Sequence, residues 1–199
     1  MKKPILTCLL LFGIICFAHA QRPIFAAKGG VNFADMAGPN GDLSDMRTSF
    51  HAGLLASFML SEKFSFQPEL LYSSQGYSEV FLIEEPIATD FNADIKLSYL
   101  TLPVMFKFYI LDGLSIDAGP QLGYKLDENV KYDAANISDS FDSDEYNDLT
   151  VGANIGFTVY PGEKFFLTAR YNRDLLSNVD SNYDEQYNSV IQLSAGFYF

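Results

Sequence analysis

The stretch Val190-Ile191-Gln192-Leu193-Ser194-Ala195-Gly196-Phe197-Tyr198-Phe199 decides how the chain is read. Ile191, Leu193, Ala195, Phe197 and Phe199 place an apolar side chain at every second position. Gln192, Ser194 and Gly196 alternate with them, between Val190 and Tyr198. A strand sends successive side chains to opposite faces, so this is a strand with one greasy face and one mild one. It closes on an aromatic residue with no polar tail, an ending from which a water-soluble strand gains little.

Working outward, the same alternation recurs in eight stretches: residues 24–34, 49–60, 64–77, 95–109, 114–126, 149–160, 165–172 and 187–199. In the sixth, Leu149, Val151, Ala153, Ile155, Phe157 and Val159 oppose Thr150, Gly152, Asn154, Gly156 and Thr158. The connections 61–63, 111–113 and 161–163 are tight and keep the apolar face in phase, as three-residue hairpin loops do. Those over 35–48, 78–94, 127–148 and 173–186 are long and polar. Tight turns on one rim and long loops on the other describe an eight-stranded antiparallel up-and-down transmembrane β-barrel, turns periplasmic and loops outside.

A soluble barrel has the same alternation in the opposite sense, and the polar face separates the two. Here it is mainly Gly, Ser, Thr, Asn and Gln, with about one charge per strand: Lys28, Glu69, Lys107, Asp117, Lys125 and Arg170. A narrow lumen holds such residues if the charges pair. The other face is too bulky in aromatics to fit inside.

Lys2 and Lys3, the apolar run from Ile5 to Phe17 and Ala18-His19-Ala20 read as a signal peptide over residues 1–20, cleaved before Gln21. The run is short for a membrane-spanning helix. Residues 21–199 then form one barrel domain. Cys8 and Cys16 leave with the leader, which excludes disulfides, thiolate metal sites and a cysteine nucleophile. His51 is the only histidine of the mature chain. The precursor carries a net charge of −12, and loss of Lys2 and Lys3 makes it −14, which disfavours nucleic acid as a partner.

Several pieces carry a family resemblance: Lys28-Gly29-Gly30-Val31-Asn32, Phe66-Gln67-Pro68-Glu69-Leu70-Leu71-Tyr72 and Tyr99-Leu100-Thr101-Leu102-Pro103-Val104. Ala118-Gly119-Pro120-Gln121-Leu122-Gly123, Ala169-Arg170-Tyr171-Asn172 and Gly196-Phe197-Tyr198-Phe199 extend it over nearly the whole mature chain. In these the chain resembles the PorT-like outer-membrane β-barrel family of Gram-negative bacteria. The resemblance implies the fold and the outer membrane, and it makes Phe197 and Phe199 a terminal insertion signal read by barrel-insertion machinery. It implies no one activity: the name-giving member serves protein secretion. The expected partners are outer-membrane lipid, the insertion machinery and other envelope proteins.

Three constellations bear on function. The six polar-face charges form either a polar path or a salt-bridged plug, and a filled eight-stranded barrel favours the plug. Twenty of the 25 acidic residues fall in the four long connections. They invite Ca²⁺, but residues 139–148 lack the glycine of an EF-hand loop, so a solvated acidic surface is expected. Asp45, Ser49 and His51 lie near the outer rim of the second strand, where His51 with Ser49 suggests a base and nucleophile. Residues two apart in a strand do not secure that contact, so His51 is expected as a lone polar residue at the lumen mouth, and no enzyme and no cofactor is expected. A structural or transport/secretion-accessory barrel is one expected function; a surface barrel whose acidic loops recognise a cation or a basic partner is the other.

Two further expectations concern the backbone. Pro68, Pro103 and Pro120 fall inside strands that have no free edge, so bulges or broken pairing are expected there. Between Tyr99 and Leu100 the apolar phase slips by one residue, and a one-residue bulge would turn Leu97 and Leu102 the same way, out of the barrel, with Lys96, Ser98, Thr101 and Lys107 inward. The alternative is that 95–99 rises above the membrane, where facing is free, and a regular strand then turns Leu97 inward.

Overall fold

The alternation is realised as a ring of antiparallel strands in a computed structural model that describes residues 22–37, 45–83, 89–134, 137–141, 147–176 and 187–199. The strands are β1 (Ile24–Ala37), β2 (Asp45–Ser61), β3 (Phe64–Ile83), β4 (Thr89–Leu111), β5 (Leu114–Ala134), β6 (Ile137–Phe141), β7 (Leu149–Val159), β8 (Phe165–Asp174) and β9 (Tyr187–Tyr198). Eight of them close the barrel, with β5 passing to β7 and β9 returning to β1. The seam runs from Ala26↔Tyr198 to Ala37↔Tyr187, and Phe199 N donates to Phe25 O at 3.0 Å. Closure leaves no lipid-exposed edge, where each unpaired backbone group would cost several kcal/mol. β6 is an addition to the eight expected strands. It pairs with the far end of β5, from Val130↔Phe141 to Ala134↔Ile137, above the ring.

The apolar face is outside. Phe50, Leu54, Leu70, Phe157 and Leu193 are all exposed on the wall, and inward positions between them are buried. Directly opposed aromatics tie the wall across strands: Phe64–Phe108 at 4.9 Å, Phe165–Phe197 at 5.1 Å and Phe66–Phe106 at 5.5 Å between ring centroids. No helix among the described residues is long and apolar enough to cross a membrane; the crossing is made by strands.

The loop assignments need correction. β3, β4 and β5 are 20, 23 and 21 residues long, about twice the 9–11 that a tilted transmembrane strand requires. Much of 78–94 and 127–148 is therefore antiparallel ribbon continuing past the bilayer, where neither face has to be apolar. Gly76, at φ 123°, lies opposite Lys96 within the β3–β4 pair and takes a left-handed backbone that favours glycine.

The prolines break pairing without shifting register. The β2–β3 ladder goes from Leu55↔Glu69 to Phe58↔Phe66 and skips Pro68. The β3–β4 ladder goes from Pro68↔Val104 to Leu71↔Thr101 and skips Pro103. The β4–β5 ladder goes from Pro103↔Gln121 to Phe106↔Ala118 and skips Pro120. Each gap stands where proline has no N–H to give.

The bulge expected in β4 is absent: β3–β4 pairing runs unbroken through Tyr72↔Leu100 and Ser73↔Tyr99. The extra residue is on β5, where Ser98↔Asp127 is followed by Tyr99↔Lys125 and Leu126 is left over. Ile95, Leu97 and Tyr99 consequently point inward, Leu97 fully buried, whereas Leu102 faces out and Lys96 is only partly buried. Thr101 and Lys107 do face inward; Ser98 is buried but receives the Tyr72 hydroxyl at 3.0 Å from the outward-facing row. The phase slip marks an apolar layer inside the barrel, not a kink in its wall. Spin labels report this directly: position 102 is expected to be quenched by a lipid-soluble reagent and position 97 protected, and equal quenching of both contradicts it.

A charge-paired lumen as candidate functional site

Inward parity brings the polar residues of the ring together. Glu69 on β3 reaches across the lumen to Arg170 on β8, which donates from Nη1 to Oε2 at 3.0 Å and from Nη2 to Oε1 at 2.8 Å. Lys28 Nζ from β1 meets Glu69 Oε2 at 2.7 Å, and Gln67 Nε2 donates to Oε1 at 2.8 Å. One carboxylate thus receives a bidentate guanidinium, an ammonium and an amide, an arrangement that offsets the desolvation of a buried charge.

Nearer the turns, Lys107 Nζ donates to Asp117 Oδ2 at 2.7 Å and to Thr158 Oγ1 at 2.8 Å. Ser115 donates to Asp117 Oδ1 at 2.6 Å, Thr158 also contacts Asp117, and Thr168 lies 3.0 Å from Thr158. Towards the loops, Lys125 Nζ meets Glu128 Oε2 at 3.0 Å and Asp148 Oδ1 at 3.6 Å. The six charges singled out in the sequence therefore all lie in the interior: Asp117 is 0 % exposed, Glu69 and Lys107 1 %, Arg170 3 %, Lys28 5 % and Lys125 9 %. Glu128 and Asp174 join them there, although the sequence pattern put both in solvated loops.

His51 does face the lumen, but it is buried and bonded at both ring nitrogens, which corrects the expected lone residue at the mouth. Its Nδ1 lies 2.7 Å from Asn32 Oδ1 and its Nε2 2.7 Å from Ser194 Oγ. Ser49 turns elsewhere and donates to Ser74 O at 2.6 Å. Ser194, His51 and Asn32 have the order of a nucleophile, base and orienting group. Asn32 is further held by Gln192, Ser73 and the Ser74 carbonyl, and His51 is 1 % exposed. No sequence motif announces this chain; inward parity of Asn32, His51, Gln192 and Ser194 is the only trace. Among the described residues no cluster of His, Cys, Asp or Glu has metal-site geometry. Asp42, Glu84, Glu85, Asp142, Asp144, Glu145, Asp180, Asp184 and Glu185 of the acidic connections lie outside the described residues, as does the leader.

The outer membrane protein beta-barrel domain family matches residues 20–181. The chain belongs to this family. As a member it is an outer-membrane β-barrel protein. Solved barrels are similar to it in fold. The attachment invasion locus protein Ail of Yersinia pestis aligns with a TM-score of 0.54 and 14% identity over 90% of this chain and 100% of its own. Neisserial surface protein A aligns with a TM-score of 0.51 and 14% identity over 88% and 97%. Among curated proteins none matches the chain.

Phe197 and Phe199 stand at the end of β9 on the lipid side, 37 % and 70 % exposed. The Phe199 ring is thus free of the core, while only its backbone N–H engages β1. Deleting Phe199 is expected to lower insertion into outer membranes with little change in the stability of barrel refolded in detergent. Normal insertion of the deletion variant would remove the signal role.

Proposed function

We propose that the chain is a non-conducting structural barrel with a transport- or secretion-accessory role, working through other envelope proteins. The observation that supports it is the lumen itself. Lys28, Glu69, Lys107, Asp117 and Arg170 are paired and no more than 5 % exposed, whereas a water-filled path would leave such groups wet. A filled interior leaves the periplasmic turns and the outer ribbons as the working surfaces. The PorT-like resemblance agrees with an accessory role in secretion, and the leader over residues 1–20 with export and cleavage. The proposal includes no enzymatic activity: Ser194, His51 and Asn32 serve as a hydrogen-bonded strut.

Photo-crosslinkers at Asp112 and Glu163, and others on the loops, test the reading in native outer membranes. Discrete adducts with other envelope proteins are expected after assembly is complete. Adducts only with lipid and the insertion machinery would reject it. A second reading rests on the concentration of acidic residues in the long connections: a surface barrel that recognises a cation or a basic partner. Saturable binding of a basic protein to intact cells, lost as ionic strength rises, would favour it.

A further inference from the structure

Outside the plug, the periplasmic mouth is a feature that the charge pairing does not explain. A cavity of about 540 Å³ opens there, within the size range of ligand pockets. Its wall includes Tyr109, Tyr160 and Tyr198, placed by one repeated device. Tyr109 N donates to Lys63 O at 2.9 Å, Tyr160 N to Gly113 O at 2.9 Å and Tyr198 N to Lys164 O at 2.8 Å. Each tyrosine is thereby pinned beside a tight turn. Tyr109 and Tyr198 occupy inward positions of β4 and β9, so these rings line the mouth and do not form part of a lipid-facing aromatic belt. Tyr109 and Tyr160 lie 5.7 Å apart between centroids.

The turns supply charge. Glu62, Asp112 and Glu163 line the cavity, against Lys63 as its one lining cation. Lys164 is directed to the wall, with its Nζ 5.7 Å from the Phe197 centroid. Aromatic faces behind carboxylates attract organic cations, and Tyr160 already shows this: Lys107 Nζ lies 5.9 Å from its centroid on the lumen side. Lys107 is neutralised by Asp117, so it does not repel a second cation in the mouth.

We propose that this mouth binds a basic segment of a periplasmic polypeptide, with Tyr109, Tyr160 and Tyr198 as the aromatic wall and Glu62, Asp112 and Glu163 as the acidic rim. The volume fits several side chains of an extended segment and is too large for one ammonium group. The site rests on the reading of the barrel as a partner-dependent scaffold and names one kind of partner.

The test uses the folded full chain in neutral maltoside micelles, since zwitterionic detergents carry competing ammonium groups. The tyrosines are labelled with ¹³C and titrated with an acetylated oligolysine peptide. Saturable shifts of Tyr109, Tyr160 and Tyr198 are expected, with a Kd of about 1 mM or tighter. The triple variant E62Q/D112N/E163Q is expected to bind about tenfold more weakly, as loss of rim charge implies. Tyr160→Phe, which keeps the ring, retains binding, and Tyr160→Leu loses it. The rim positions are exposed turns, so the triple variant tests the site even if Tyr160→Leu fails to fold. No shift, equal shifts with oligoglutamate, or an unaffected triple variant overturns the site. Equal affinity for butylammonium overturns the polypeptide as its source. Failure here with loop crosslinks intact removes the site and keeps the scaffold; loss of both removes both.

Discussion

Glu69→Ala is expected to lower the stability of the folded barrel by about 3–5 kcal/mol, the usual consequence of stripping a buried ion pair of one partner. Among the described residues Glu69 is the only carboxylate shared by Lys28 and Arg170, and all three are almost fully buried. Without it two buried cations are left facing each other. Arg170→Leu should cost less, because Glu69 keeps Lys28 and Gln67. Urea unfolding midpoints in detergent check both, and the ordering matters as much as the size. An unchanged midpoint for Glu69→Ala would mean that water already screens the cluster and that the lumen is not plugged.

Gly30→Val is expected to abolish closure rather than weaken it. Gly30 is paired with Ser194 across the seam and with His51 on its other side. A Cβ at this position would run into the Leu193 carbonyl oxygen and lie 2.7 Å from Ser194 Cα. Both are backbone atoms of β9, so no side chain can rotate away. The strands would have to part, and each seam bond broken in lipid costs several kcal/mol. The variant should run as unfolded chain in cold electrophoresis, where the parent shows a compact, heat-modifiable band. A compact band for Gly30→Val would show that the seam tolerates separation.

What could be read in advance follows from periodicity. β9 has a two-residue period and a lipid-facing apolar set, so facing and antiparallel closure follow from local pattern alone. The same rule fails at Leu97. An apolar side chain in a strand reads as lipid-facing, although a barrel interior buries an apolar layer as well, as it does Leu97. Parity placed Glu69 and Arg170 inside but could not pair them. They are 101 positions apart and meet only because the shear of the closed ring sets their heights. His51 shows the same limit. Its near neighbour Ser49 turns away, and its hydroxyl partner Ser194 lies 143 positions along the chain. β6 leaves no trace in the pattern, because it is short and pairs only with the far end of β5, where no lipid-facing alternation is imposed.

Whether the closed barrel is sealed by its own charges is read from the current across a planar lipid bilayer holding the refolded chain. A plugged lumen predicts a flat baseline under applied voltage, with discrete steps appearing in Glu69→Ala if that variant still folds. Reproducible ohmic steps from the unmodified chain would show that the lumen conducts and would contradict it.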